Sequence, residues 1–447
     1  IYGESIITFV LSLFISLILG SILLWYEKKN NSEGSSFSLN QLDLPNALML
    51  VGLSFILLPL IGSISFLPSF NYNFINALFE SFSGFTTTGL TLYNSLEGLP
   101  QSLLLWRAET QWIGGIGIVM VFLFIISRLR FHGKEETTQI ESTSSLYQAQ
   151  GFQEKIEPNL MKSSKNVLIV YGGYTLLGIL LLYFTGLSLF EAISLSFTSI
   201  STGGFIVSDT LQVSNIQLTI LSVLMLLGSI SFITHNKLLK RKFKEFFKSF
   251  EKNLFFVFLI IAICLTLFVF KDIKIILFQL ISAFTTTGYS LTNISLLPPL
   301  FVMLIMAGML IGGSIASTSG GLKVSRFYTL LRMVPWMIKK ISSPRHAIIP
   351  LKIRNQVVKE KDLLIIMVFT TLFFLIFFTG TIIFLLLGFS IIESSFQMAS
   401  ALGTVGLQTV DLMVVPVIGK IVLIVAMLLG RLEIFPLLIL IRKLFVR

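Results

Sequence analysis

Four short stretches rich in Ser, Thr and Gly interrupt a chain made largely of long apolar segments. Aligned without gaps, each has Gly at its seventh position and an apolar residue at its eighth. We call them filter stretches 1 to 4; they lie at residues 83–90, 198–205, 282–289 and 400–407. A pore that strips water from a small cation needs a ring of oxygen ligands, which backbone carbonyls supply where the chain is extended and Gly relieves strain. Four copies in one chain therefore predict a complete ring within one subunit.

The composition predicts a polytopic membrane protein. Hydrophobic residues make up 54% of the 447 residues and charged residues only 12%, roughly half the charged share of a soluble domain. The net charge of +11 does not indicate nucleic acid, because the basic residues occur in bursts between apolar segments. The single cysteine, Cys264, excludes an intrachain disulfide framework.

Apolar segments of about 20 residues cross a bilayer as helices. We predict such spans at residues 5–26, 47–67, 103–127, 166–187, 217–235, 253–271, 297–330 (interrupted), 362–388 and 414–441. Four shorter segments, each directly before a filter stretch, are too short to span; they lie at 74–85, 190–200, 275–284 and 392–402. We expect each to enter the membrane as a half-helix and to return as an extended filter stretch that lines water or is buried by protein.

The repeating unit is thus helix, half-helix, filter stretch, helix. We expect an all-α fold of four membrane–pore-loop–membrane repeats with pseudo-four-fold symmetry around one pore, plus an extra N-terminal helix. The predicted parts are the extra transmembrane helix with a cytoplasmic linker (1–46), repeat 1 with a cytoplasmic loop (47–165), repeat 2 (166–252), repeat 3 with an interrupted helix and a cytoplasmic loop (253–361), and repeat 4 (362–447).

The distribution of Lys and Arg predicts the orientation in the membrane. Most basic residues fall in segments that we therefore assign to the cytoplasm, namely 27–46, 128–165, 236–252, 322–361 and 442–447. Arg107 and Lys420 fit the outer ends of their helices as interface anchors. The opposite side carries the acidic residues Glu80, Glu97, Glu191, Asp209, Asp272, Glu393 and Asp411. They predict an acidic mouth that concentrates cations, with a merely solvated rim as the alternative.

Several motifs resemble those of the Trk/Ktr/HKT superfamily of potassium uptake proteins, and the match covers nearly the whole chain. These motifs lie at residues 79–89, 111–118, 311–314, 320–323 and 430–435. The resemblance implies a non-enzymatic, potassium-selective translocating subunit in a bacterial or archaeal inner membrane. The leading helix resembles the TrkH-like branch, whose members have two helices before the first repeat, so we expect a further helix before Ile1.

The resemblance also implies partners. We expect a homodimer with one pore per protomer, and a separate cytoplasmic ring of nucleotide-binding RCK-type (TrkA-like) subunits. The basic faces at 236–252 and 322–361 would dock that ring or contact membrane lipids. No organic cofactor is expected, because the Gly-rich runs follow no strand and form no phosphate loop. The distribution of basic residues likewise gives no reason to expect nucleic acid.

By resemblance, the potassium ligands are the residues that end at each seventh-position Gly. They are Thr86, Thr87, Thr88 and Gly89; Ser201, Thr202, Gly203 and Gly204; Thr285, Thr286, Thr287 and Gly288; and Gly403, Thr404, Val405 and Gly406. A single Thr-Thr-Gly is usually an ordinary turn, whereas four copies in register favour a filter. In plant relatives, Ser at the Gly of the first filter accompanies sodium preference, so Gly at all four positions favours potassium.

The interruption of the segment 297–330 is a run of small residues, 312–321, which we call the gate loop. A run so rich in Gly and Ser has poor helix propensity, and the resemblance implies an intramembrane loop that obstructs the pathway and moves on activation. Close helix packing through small residues is the alternative. The candidate gate residues are Gly312, Gly313, Ser314, Ser317, Thr318, Ser319, Gly320, Gly321 and Arg431.

Arg431 lies inside the apolar segment 414–441, where an ionisable residue is a functional candidate. We expect it to bond the gate loop or to add an electrostatic barrier, with pairing to a carboxylate such as Glu433 or Glu109 as the alternative. Two other functions stay open. A K+/H+ or K+/Na+ symporter would need intramembrane carboxylates or His on the pathway, and the potassium-binding subunit of a P-type pump shares the pore-loop plan.

Overall fold

The computed structural model describes residues 2–30, 44–131, 160–344, 347, 349–353, 356–358 and 360–445. The first half of the chain forms α1 (Tyr2–Asn30), α2 (Leu44–Gly62), α3 (Phe74–Phe85), α4 (Gln101–Phe131), α5 (Leu160–Phe184), α6 (Leu189–Ile200), α7 (Asn215–Ser229), α8 (Phe232–Leu239) and α9 (Phe243–Phe247). The second half forms α10 (Phe250–Thr266), α11 (Ile273–Phe284), α12 (Pro299–Ile311), α13 (Val324–Ile341), α14 (Glu360–Leu386), α15 (Ile391–Leu402), α16 (Val417–Arg431) and α17 (Phe435–Phe445).

Helices thus dominate the described residues, and the all-α class is confirmed. The exception is a small antiparallel pair of strands between α13 and α14, β1 (Lys352–Ile353) and β2 (Gln356–Val357), in which Lys352 lies opposite Val357. Much of the predicted cytoplasmic segments 27–46 and 128–165 lies outside the described residues.

In the described part of the chain, three helical stretches are long and apolar enough to cross a membrane alone: Leu48–Phe66, Ser164–Phe184 and Glu360–Leu386. Two bent pairs pass the same test together, α7 with α8 and α16 with α17, with bends of 104° and 107°. The predicted spans 217–235 and 414–441 are therefore wrong as straight helices. The predicted interruption of 297–330 is confirmed, because α12 ends at Ile311 and α13 begins at Val324.

Each filter stretch begins in the last turn of a helix of 12 residues, and these helices are α3, α6, α11 and α15. A helix of this length is about 18 Å long, too short for a hydrocarbon core of about 30 Å. Their first turns are fixed by side chains that accept a hydrogen bond from a backbone N–H, namely those of Asn73, Ser188, Asp272 and Ser390. The predicted half-helices therefore agree with the structure to within two residues.

Glycines let three longer helices cross the ends of these short helices at backbone contact. A Cβ added at Gly114, Gly228 or Gly430 would collide with a carbonyl oxygen at the third position of a filter stretch, which belongs to Phe85, Ile200 and Leu402 in that order. The crossing holds the start of each of these filter stretches against the helix that follows it. The main buried core extends from Val51 on α2 to Leu440 on α17, and a separate cluster that includes Leu182 and Leu221 packs between α5 and α7.

Candidate functional site

The four filter stretches share one backbone conformation. The fifth residue is always Thr with a left-handed φ, between 52° and 58°, and the seventh is always Gly with φ between 78° and 96°. The N–H of the sixth residue donates to the carbonyl of the first at 2.8–2.9 Å, as in a Schellman helix end. The four bonds run from Thr88 to Ser83, Gly203 to Thr198, Thr287 to Ser282, and Val405 to Ser400. Left-handed Thr costs about 1–2 kcal/mol, so the surrounding contacts must hold these turns.

The seventh-position glycines also bring the stretches together in a closed circuit. A Cβ added at any of them would collide with the carbonyl oxygen of the sixth residue in the next stretch. The contacts join Gly89 to Gly203, Gly204 to Thr287, Gly288 to Val405, and Gly406 to Thr88. These contacts join stretch 1 to stretch 2, stretch 2 to stretch 3, stretch 3 to stretch 4, and stretch 4 to stretch 1. The structure therefore brings all four predicted sets of filter residues together.

A cavity of about 720 Å³ opens onto this circuit, and all four seventh-position glycines line it. Asp209 and Asp411 of the predicted acidic mouth line it as well. Both are oriented by the loop after filter stretch 1. Asp209 accepts from the backbone N–H of Leu96 at 2.5 Å, and Asp411 accepts from Nδ2 of Asn94 at 3.0 Å.

Four other residues of the predicted acidic mouth do not line this cavity; the prediction is wrong for Glu80, which is buried, and the other three are helix caps. Glu191 and Glu393 complete capping boxes at the starts of α6 and α15. Asp272 caps α11. These carboxylates bond the free N–H groups of helix starts, which stabilises the half-helices. Glu80 is fully buried.

Arg107 and Lys420 are not interface anchors, because both are buried. Arg107 is 1% exposed and forms an ion pair with Glu80 at 2.9 Å. It also donates to the carbonyl of Ile206 at 3.1 Å. Nζ of Lys420 donates to Oδ1 of Asn76 at 3.0 Å. The Glu80–Arg107 pair therefore joins the half-helix of stretch 1 to the backbone after stretch 2.

The gate loop lies directly against the filter stretches, and residues 312–324 are buried throughout. The N–H of Gly320 donates to Oγ1 of Thr286 at 2.7 Å. The hydroxyls of Thr202 and Thr318 are hydrogen-bonded at 3.2 Å. A Cβ at Gly320 would collide with Oγ1 of Thr404. The loop thus contacts the fifth-position Thr of stretches 2, 3 and 4.

Several hydrogen bonds fasten the gate loop to the surrounding helices. Thr318 donates through its backbone N–H and its hydroxyl to the carbonyl of Gly228, at 3.2 and 2.9 Å. Nη1 of Arg431 donates to the carbonyl of Thr318 at 2.5 Å, and Nη2 donates to the carbonyl of Gly114 at 2.9 Å. Nζ of Lys323 bonds the carbonyl of Ser319.

The structure places Arg431 against the gate loop, the first of the predicted arrangements. The alternative pairing with Glu433 is not formed, since Glu433 pairs with Arg326 of α13. The prediction that Arg431 lies inside one straight helix is wrong. Helix α16 ends at Arg431, and the chain then turns at Glu433 and Ile434, which have φ of 57° and 64°.

One residue next to the filter stretches was missed from the sequence. Gln111 of α4 donates through Nε2 to the carbonyl of Gly203 at 2.7 Å and accepts through Oε1 from the N–H of Phe205 at 3.1 Å. A buried amide in an apolar helix is a signal for such a role, but the sequence does not reveal which backbone it faces.

Long apolar helices, four short helices that lead into a closed circuit of main-chain oxygens, and a buried loop against that circuit are typical of a polytopic, helical membrane transport protein. Comparison with known proteins identifies the family. The family model of TrkH, described as cation transport protein, matches residues 5–277 and 271–446. The chain belongs to this family, and it is a transporter rather than an enzyme.

Individual relatives cover almost the whole chain. An uncharacterized cation transporter of Methanocaldococcus jannaschii is 34% identical over 90% of this chain and 84% of its own. The Trk system potassium uptake protein TrkH of Escherichia coli K12 is 29% identical over 98% of this chain and 92% of its own. The crystal structure of the potassium transporter TrkH from Vibrio parahaemolyticus superposes with a TM-score of 0.84 at 26% identity, covering 100% of this chain and 93% of that one.

Proposed function

We propose that this chain is the potassium-translocating subunit of a Trk-type uptake system, with filter stretches 1 to 4 as its selectivity filter. The observation that carries the proposal is the closed circuit in which each seventh-position Gly meets a main-chain carbonyl of the next stretch. Carbonyl oxygens in such a ring replace the hydration shell of a small cation. The names of the relatives, which include potassium uptake proteins, favour potassium as that cation.

The arrangement supports a channel-like pathway over a coupled transporter. The oxygens that the circuit brings together are main-chain carbonyls, which bind cations without taking up protons. Glu80, the acidic residue on the half-helix of stretch 1, is bonded to Arg107, Thr91 and the N–H of Leu92. Potassium flux that reverses at the potassium equilibrium potential and ignores an imposed proton gradient would support a channel over a symporter. Flux by the purified chain without an ATPase would speak against a pump subunit.

We propose that the gate loop closes this pathway on the inner side of the filter. Its contacts with Thr202, Thr286 and Thr404 would place it across the route of an ion that has passed the four stretches. Shortening residues 313–319 should then raise basal flux through the purified protein. Flux equal to that of the parent would count against the gate.

Selectivity tests the filter assignment. Gly89→Ser would force a side chain onto the carbonyl of Gly203 and displace one quarter of the ring. We expect proteoliposomes with this variant to lose much of the parent's preference for potassium over sodium. Gly98→Ser is the matched control, since Gly98 has a similar φ of 83° but a Cβ there meets nothing within 4 Å. An unchanged preference in Gly89→Ser would refute the assignment.

We propose, on the same family likeness, a homodimer served by a cytoplasmic nucleotide-binding ring. The exposed basic residues of the α8–α9 region, among them Lys240 and Arg241, would face such a ring. Light scattering of the purified chain in detergent tests the dimer. Co-purification with a candidate ring, with and without charge reversal at Arg241, tests the docking face.

A further inference from the structure

Gln111 holds the backbone of filter stretch 2 from a helix of the preceding repeat. Its amide nitrogen donates to the carbonyl of Gly203 at 2.7 Å, and its amide oxygen accepts from the N–H of Phe205 at 3.1 Å. The flipped amide would set oxygen against oxygen and nitrogen against nitrogen, so the two bonds fix its orientation. Gln111 is fully buried. Its side chain therefore fixes the direction of one carbonyl of the circuit.

The two other helices that cross the end of a short helix, α7 and α16, carry a different residue at the position that corresponds to Gln111. Gln111 lies three residues before Gly114, the glycine that crosses the end of α3. In α7 and α16 the residues three before the crossing glycines are Met225 and Met427, both fully buried. Met cannot donate a hydrogen bond, so the amide brace distinguishes the helix of repeat 1 from these two.

Filter stretch 2 also lacks an internal brace that stretches 1 and 3 possess. The fourth and sixth residues of those stretches are hydrogen-bonded through their hydroxyls, Thr86 with Thr88 at 2.7 Å and Thr285 with Thr287 at 2.8 Å. Stretch 2 has Gly203 at the sixth position, and a Cβ there would collide with the side chain of Gln111. The amide of α4 occupies the space that a sixth-position side chain would need.

We propose that Gln111 is a positioning residue for ion selectivity, which replaces within filter stretch 2 the hydroxyl pair of stretches 1 and 3. The proposal rests on the filter function proposed above. A carbonyl has two lone pairs, so Gly203 can accept from Gln111 and still offer its oxygen to a cation. Gln111 and Gly203 are then a matched pair, and each residue restricts what the other can be.

The first test removes the brace. We expect Gln111→Met to insert and purify like the parent but to show a potassium-over-sodium flux ratio lowered about tenfold, the effect of about one buried hydrogen bond. Gln217→Met is the matched control. Gln217 also bridges two backbone groups, the N–H of Ser214 at 2.7 Å and the carbonyl of Thr185 at 3.1 Å, but it does so at the start of α7. The Gln217→Met variant should keep the potassium-over-sodium flux ratio of the parent.

The second test is a rescue that a merely structural residue would not give. Gly203→Thr should lose selectivity because the new side chain collides with Gln111. Combining it with Gln111→Ala should restore the parent ratio to within about twofold, the scatter expected of independent effects, because a hydroxyl at position 203 can pair with Ser201. This comparison decides the question even if Gln111→Met fails to insert.

The outcomes separate the two proposals. If Gly89→Ser changes the ratio and Gln111→Met does not, the role of Gln111 is refuted and the filter stands. If neither variant changes the ratio, the filter assignment itself fails. A double variant no more selective than Gly203→Thr alone also refutes the pairing.

Discussion

Nη1 of Arg431 donates a hydrogen bond of 2.5 Å to the carbonyl oxygen of Thr318, the residue whose own hydroxyl bonds the backbone of α7 at Gly228. The same guanidinium reaches the carbonyl of Gly114 on α4. One side chain thus connects the gate loop to the end of α16 and to the helix that follows filter stretch 1. Movement of the loop away from the filter must break this connection.

Removal of the guanidinium should therefore favour the open pathway. We expect Arg431→Ala to raise basal potassium flux in proteoliposomes about tenfold or more, because each bond from a charged donor contributes about 1.5–3 kcal/mol. Arg442→Ala is the control, since Arg442 is exposed in the last turn of α17. If Arg431→Ala lowers flux, Arg431 is needed for conduction and does not hold the gate shut.

The crossing of α16 over the end of α15 predicts an effect on stability. Gly430→Ala would place a Cβ against the carbonyl of Leu402, which belongs to rigid backbone and cannot move aside. Overpacking of this kind costs about 1–3 kcal/mol, so the apparent melting temperature in detergent should fall. Gly172→Ala on α5 should not lower it, because nothing lies within 4 Å of a Cβ there. Equal melting temperatures of the two variants would contradict this account of the crossing.

Local signals explain why the short helices could be predicted. Each begins after a side chain that caps it, such as Ser188 or Ser390, and each ends where small polar residues replace the apolar run. The bends after Ser229 and Arg431 could not be predicted, because hydropathy reports burial and not direction. The second bend involves the pairing of Glu433 with Arg326, which lies 107 residues away in the chain. Long-range contacts of this kind leave no local pattern.

The buried pair of Glu80 and Arg107 was missed for a similar reason. Both residues are charged and lie in apolar surroundings, which was a usable signal for pairing, but their separation of 27 residues placed them in different predicted elements. The chain after filter stretch 1 folds back against α4, and this fold brings Nε of Arg107 to 2.9 Å from Oε1 of Glu80. The hydroxyl of Thr91 and the rings of Tyr93 and Phe205 complete the surroundings of the guanidinium.

This pair predicts a non-additive pattern of stabilities. Arg107→Met or Glu80→Gln alone should cost about 3–5 kcal/mol, because a buried charge is left without its partner. The double variant should be less destabilised than the sum of the two, which thermal unfolding in detergent would measure. Glu245→Gln is the control, since an exposed pair such as that of Lys242 and Glu245 contributes only about 0.2–1 kcal/mol. Strict additivity of the buried pair would show that the two charges do not stabilise each other.

The hydrogen bonds of Asp209 predict that flux is insensitive to pH near neutrality. Its carboxylate accepts from the N–H of Leu96 and from the hydroxyl of Ser95, and these bonds lower the pKa of the carboxyl below its ordinary value. A lowered folded pKa gives stability that is present above the unfolded pKa of about 3.9 and is lost as pH falls through the folded value. Parent flux should therefore change little between about pH 8 and pH 5, a range far above that ordinary value.

Asp209→Asn should lower flux by the same factor at every pH in that range, because an amide cannot accept both bonds in the same way. Glu97→Gln, at an exposed neighbour in the same pair of loops, should leave flux unchanged. If parent and Asp209→Asn already converge near pH 5, the parent carboxylate has been protonated well above its ordinary pKa. Hydrogen bonds from Leu96 and Ser95 lower the pKa of Asp209. A raised pKa would therefore show that these bonds are absent from the conducting protein.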